Sequence, residues 1–185
     1  MYKYGGIWLD ADTIVFKSLK PLIDKLERYD FVGFGCTGYI CKDEGYPYPS
    51  NGILCSRKNS ILMKACLDEL NRVLDNPKKE FGYFELGKDL MYPILQKLIK
   101  DGYQYYHYPT KYGGSRDKYL TYIDGNRLLS KKDIVFQDES ELMLLFLANS
   151  HFVHAENKWF LKLDKTEILN GPYFISKMFR KSFGQ

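Results

Sequence analysis

Apolar positions in this chain fall into short runs separated by polar turns, with two longer stripes of helical period. Ile7-Trp8-Leu9 is a compact apolar run that stops at Asp10-Ala11-Asp12, and Ile14-Val15-Phe16 follows at once. A continuous run of this kind predicts a buried strand of a parallel sheet. Ser18 to Tyr29 predicts a short helix, with Pro21 in its first turn and Leu22, Ile23 and Leu26 on one face. Phe31 to Phe34 reads as a strand, Gly35 to Pro49 as a long loop, and Ser50 to Ser56 as a strand that begins polar and turns apolar. Asn59 is placed to cap a helix whose residues Leu62, Ala65, Cys66, Leu70, Val73 and Leu74 recur near every 3.6 positions and predict a core stripe.

Met91, Leu95, Leu98 and Ile99 predict a second helix that Gly102 closes. Tyr103 to Tyr108 alternates as a strand does, and Ile134 to Phe136 reads as another short one. Asp138 with Glu141 has the spacing of a capping box, ahead of a buried helix over Leu142 to Ala148. The tail from Gly171 to Gln185 mixes Tyr173, Phe174, Ile175, Met178 and Phe179 with Lys177, Arg180 and Lys181. Residues 160–185 therefore read as a docking tail, either a helix for a partner surface or a membrane-surface anchor. The expected fold class is α/β, a mixed sheet flanked by helices.

The chemistry-bearing stretch is Tyr4-Gly5-Gly6-Ile7-Trp8-Leu9-Asp10-Ala11-Asp12. If the chain stays extended past Leu9, side-chain alternation sends both carboxylates to one side with Ala11 opposite. Ligands of open α/β sheets bind beyond the carboxyl ends of the strands. Two hard oxygen donors there suit Mg²⁺ or Mn²⁺ together with substrate phosphates.

This string resembles the D-x-D glycosyltransferases of GT-A fold, and among them the mannosyl- and galactosyltransferase-like sugar transferases and the capsular polysaccharide synthesis proteins. Tyr4, Gly5, Gly6, Ile7, Trp8, Leu9, Asp10 and Asp12 match the family signature position by position. The resemblance implies a metal-dependent, retaining transfer of a sugar from a nucleotide-sugar donor to a saccharide or lipid-linked glycan acceptor, as in polysaccharide biosynthesis. It implies Asp12 as the ligand of Mn²⁺ or Mg²⁺ on the donor diphosphate, and Asp10 as a contact to the ribose or the donor sugar, beside Tyr4 and Gly6. Asn51 is similar to the family's Asn at the mouth of the next strand, facing the donor sugar; an Asn-Gly turn is the other reading of that pair. Asp89, at the start of a helix in a polar Gly-containing turn, is a third carboxylate candidate for catalysis, or a first-turn residue that suits the helix dipole. Near the end, His154 to Trp159 resembles the family's closing His-to-Trp segment, with Lys158 in place of the usual Ser; it implies His154 as a second metal ligand and Trp159 packed near the nucleotide.

Such enzymes place a nucleotide-binding half before the D-x-D strand, and here six residues precede Ile7. The resemblance thus implies the carboxyl-terminal catalytic part of a transferase, with residues 1–185 as one domain whose first strand has an unpaired edge. Two other readings stay open. One is a haloacid-dehalogenase-like Mg²⁺-dependent phosphatase, in which Asp10 would be the nucleophile and Asp12 the general acid, although it leaves Tyr4-Gly5-Gly6 without a role. The other is a non-catalytic transferase remnant.

Composition narrows the setting. The 185 residues, 45% hydrophobic and 16% aromatic, are enough for a sizeable core. A net charge of +4 accommodates phosphates or an anionic membrane surface but is too small and dispersed to predict nucleic-acid binding. Cys36, Cys41, Cys55 and Cys66 lack the paired spacing of a zinc site. They predict a reduced, cytoplasmic setting, with peripheral contact to a membrane through the tail. No leader-like segment opens the chain, and the longest apolar run, Leu142 to Ala148, is too short to span a bilayer.

Overall fold

The computed structural model describes residues 1–35, 49–76, 80–82, 84–109, 113–114, 116–147 and 156–184. It is mixed α/β, and its chain divides into two compact units: Met1–Asp10 with Leu19–Pro109, and Ala11–Ser18 with Thr110–Gln185.

The first unit is a four-stranded sheet with two long helices. Its strands are β1 (Gly6–Leu9), β3 (Phe31–Gly35), β4 (Pro49–Ser56) and β5 (Tyr106–Pro109), in spatial order β1-β4-β3-β5. β4 runs antiparallel to both neighbours, and β3 and β5 are parallel. Helix α1 (Lys20–Lys25) carries Pro21 in its first turn and buries Leu22, as the sequence predicts. Helices α2 (Ile61–Asp75) and α3 (Lys88–Lys100) pack on each other and bury Leu62, Met63, Met91 and Leu95 against Phe31 of the sheet. Leu54 and Tyr105, half-buried, extend that core. Gly102 closes α3 at φ +89°, where a side chain would be strained.

The second unit is built on a two-stranded antiparallel ribbon of β2 (Thr13–Val15) and β6 (Leu144–Phe146), with Ile14 opposite Leu145. Short helices α4 (Gly125–Leu128) and α5 (Lys165–Asn170), a 3-10 turn over Phe160–Lys162, and α6 (Phe174–Ser182) surround a core that includes Ile14, Ile123, Leu128, Leu145, Phe174 and Met178.

Several sequence expectations change. Ile7 to Leu9 is an antiparallel edge strand, not a buried parallel one, and Trp8 is 53% exposed. Its single apolar run combines two faces: Ile7 and Leu9, half-buried, on one, and Trp8 on the other, where it stands opposite Leu54 and lines the space toward α2 and α3. Strand geometry ends at Leu9, and Ala11 and Asp12 form a turn before β2, so alternation no longer aligns the two carboxylates. Leu142 to Leu147 is not a helix: it contains β6, because β2 supplies its ladder partner. Ser60, not Asn59, caps α2: its hydroxyl accepts from the Met63 N–H, while Asn59 takes φ +61°. Asp138 accepts from the Ser140 N–H in a local turn, and the capping box belongs to Asp164 and Glu167 at α5. Among the described residues Ile134 to Phe136 forms no β-ladder, although the Val135 carbonyl accepts from the Lys118 N–H at 2.8 Å. In the tail, Phe174, Ile175 and Met178 pack into the second unit's own core, while Leu161 and Phe183 are exposed. Among the described residues no helix is long and apolar enough to cross a membrane.

Candidate functional site

The first unit holds a cavity of about 580 Å³ between β1, β4, α2 and α3. Two of the residues singled out in the sequence, Asp10 and Asn51, line it. Asp10 is reached where β1 ends: its N–H donates to the Gly52 carbonyl at 2.8 Å, which continues the β1-β4 pairing by one residue. Its carboxylate is held by the indole of Trp8, whose Nε1–H donates to Oδ1 at 3.0 Å. Gly52 leaves room for the other oxygen, since a Cβ there would stand 2.9 Å from Asp10 Oδ2. Asn51 belongs to β4, which excludes the turn reading of Asn51-Gly52. Its amide lies close over Gly87, the residue that opens α3: a Cβ on Gly87 would meet Asn51 Nδ2 at 3.0 Å.

The remaining lining is mainly apolar, with Leu54 from the sheet, Met63 and Leu70 from α2, and Leu90 and Met91 from α3. Cys66 also faces the space, and burial pushes its thiol up to about 11, so it is protonated and a poor nucleophile at neutral pH. Cys55 is buried in β4 and is pushed up to about 12 by the same cause. Cys36 and Cys41 lie outside the described residues.

Tyr4 is 78% exposed and carries Lys3 over its ring at 5.2 Å. Gly5 and Gly6 both have positive φ, and a Cβ on Gly5 would lie 2.6 Å from the Lys58 backbone nitrogen. The glycine pair is therefore demanded by the sharp entry into β1. Asp89 is exposed in the first turn of α3, paired with Lys88 at 2.7 Å, and is not part of the cavity lining.

Asp12 belongs to the second unit. It is half-buried, and its carbonyl accepts from the Leu147 N–H at 2.9 Å, just beyond the β2-β6 ladder. The hydroxyl of the next residue, Thr13, is buried without a hydrogen-bond partner among the described residues. Tyr122 is in this unit too; burial first, and the charges of Asp124 and Asp12, raise its phenol above the ordinary value. Trp159 packs at 5.1 Å from the Tyr173 ring and 5.8 Å from that of Phe160. His154 and its fallback His151 lie outside the described residues. Among the described residues no three His, Cys, Asp or Glu side chains cluster as a cation site.

Sequence reasoning did not single out the α2 and α3 side chains of the cavity. Met63 falls outside the predicted stripe, and Cys66 and Leu70 fall in it as ordinary core. Their helical period reports an apolar face, but whether that face meets another element or an open space depends on how far the neighbouring helix stands away. Asp30 is likewise missed: its carboxylate accepts from the Ser60 and Tyr103 hydroxyls and the Ile61 N–H, tying α2 to the sheet.

No protein-family model, curated protein or solved structure matched this chain.

Proposed function

We propose that the chain is a metal-dependent glycosyltransferase of GT-A type, which moves a sugar from a nucleotide-sugar donor to a saccharide or glycan acceptor. The observation that carries this reading is the coincidence of Asp10 and Asn51 in one cavity. They lie in separate stretches of the sequence, and the family likeness implies a sugar contact for each. A carboxylate accepts from sugar hydroxyls, and an amide both donates and accepts, so the pair can fix the orientation of a hydroxylated ring.

For the cation, the Asp12 carboxylate is the oxygen donor that the family likeness points to. Oxygen donors of this type suit Mg²⁺ or Mn²⁺. Asp12 would hold the ion, with His154 as its second ligand by the family likeness. The bound ion would supply charge neutralisation to the departing nucleoside diphosphate. Asp10 would position the ribose or the donor sugar, and Asp89 would act only on groups reaching the exposed start of α3. Transfer is expected to be retaining, without a named protein nucleophile. The compartment and any peripheral membrane contact follow the cysteine and charge reading of the sequence.

Calorimetric titration with UDP and GDP, in Mn²⁺ and in EDTA, tests the reading. The expected result is nucleotide binding that requires the metal and falls at least tenfold in Asp12→Ala, about 1.4 kcal/mol. Absence of binding to folded protein would overturn it in favour of a non-catalytic remnant.

A further inference from the structure

At one end of its described lining the cavity offers a saccharide the Asp10 carboxylate, oriented by Trp8, and the Asn51 amide above Gly87; Tyr2 and Lys3 are the other polar side chains of the lining. The rest of the lining is mainly hydrocarbon and sulfur, with Leu54, Met63, Cys66, Leu70, Leu90 and Met91. A free oligosaccharide would leave its hydroxyls against these side chains without partners, and burying an unpaired hydroxyl costs on the order of 1–3 kcal/mol. The volume of about 580 Å³ is that of a small-molecule site and exceeds what one sugar ring fills. The methionines add an unbranched, adaptable wall that fits chains of varied shape.

We infer that this cavity binds an amphiphilic glycoside, with its sugar on Asp10 and Asn51 and an apolar aglycone along α2 and α3. This inference rests on the transferase reading for the ligand's role, that of acceptor, a sugar already linked to an alkyl or lipid group, and within that reading it moves Asp10 and Asn51 from the donor's sugar to the acceptor's. It does not rest on that reading for binding itself, which follows from the lining alone. The sugar end selects by hydrogen bonding, and the apolar end contributes affinity in proportion to buried surface.

The test uses octyl, nonyl and decyl β-glucosides below their micellar concentrations, with glucose and 1-decanol as controls. Binding is followed through Trp8 in the Trp159→Phe variant, which leaves Trp8 as the single tryptophan. Affinity is expected to rise about fourfold for each added methylene, the increment of a fully buried CH₂. Decyl glucoside is expected to bind about tenfold tighter than 1-decanol, and Asp10→Asn to erase that preference while leaving the chain-length series intact. Leu70→Asn should flatten the series; Leu67→Asn, at a more exposed position of the same wall, provides a second variant should the first not fold. A flat chain-length series, or equal binding of decanol and decyl glucoside, would overturn the inference. Calorimetric UDP titration of the unsubstituted protein separates the two ideas. Nucleotide binding with a flat series leaves the transferase and removes the amphiphilic ligand, whereas a steep series without nucleotide binding supports the cavity and removes the transferase.

Discussion

Asp117 shows how one side chain can be settled by its surroundings. It is 6% exposed and accepts from the Tyr119 and Thr121 N–H groups and from Arg127, whose guanidinium lies at 2.6 Å. Burial alone would raise its carboxyl, but Arg127 and the two N–H donors outweigh that and hold it below the ordinary carboxylate range. A carboxyl depressed in the folded state stabilises the fold above its unfolded value of about 4, and that contribution is lost as pH falls through the lower folded value. Asp117→Asn should therefore cost about 1–3 kcal/mol at neutral pH and lessen the acid sensitivity of the second unit. Urea unfolding at neutral pH and in acid reads both effects; equal losses at the two conditions would refute the electrostatic account. Asp10 differs in kind: its carboxylate is held by one indole N–H and adjoins open space, an arrangement that leaves acceptor capacity for a ligand.

Helix α2 depends on contacts that join its first turn to the sheet. Ser60 accepts from the Met63 N–H at 3.3 Å and donates to Asp30 at 2.8 Å, and Asp30 also takes the Ile61 N–H. Ser60→Ala removes the cap and one of the donors to Asp30, and should lower stability by about 1 kcal/mol. Hydrogen exchange should show faster opening of the first turn of α2, with α3 unchanged. An unchanged exchange pattern would mean that Asp30 alone holds the helix. Much at this level was legible beforehand. Pro21 marked the start of α1, and the periodic residues of α2 and α3 marked two helices, because helical hydrogen bonds are local and their signals lie within a few residues. The cap itself was misplaced by one position, since Asn59 and Ser60 are both good capping types and only backbone conformation separates them: Asn59 has φ +61°.

For the chain as a body, β1 is the consequential element. It pairs with β4 on one side, and Trp8 stands exposed upon it. An edge strand with a large exposed aromatic residue favours association with another chain. Trp8→Lys should reduce concentration-dependent self-association in sedimentation velocity, and because it also removes the donor to Asp10, it should weaken binding in the cavity. Association that is unchanged by the lysine would locate the contact elsewhere.

The amino-acid string from Tyr4 to Asp12, the mixed α/β composition of elements and the positions of α1, α2, α3 and β4 are properties of neighbouring residues, and the order of residues was enough to reveal them. Strand partnership is different. Whether Ile7 to Leu9 is central or peripheral, and whether Leu142 to Leu147 is helix or ladder, depends on groups more than forty positions away: Cys55 opposite Ile7, and Ile14 opposite Leu145. An apolar run reports only that burial is favourable, not which surface provides it. The cavity arose in the same way. Asp10 and Asn51 could be named from their local strings, but the apolar wall beyond them is assembled only when α2, α3 and β4 come together in the folded unit.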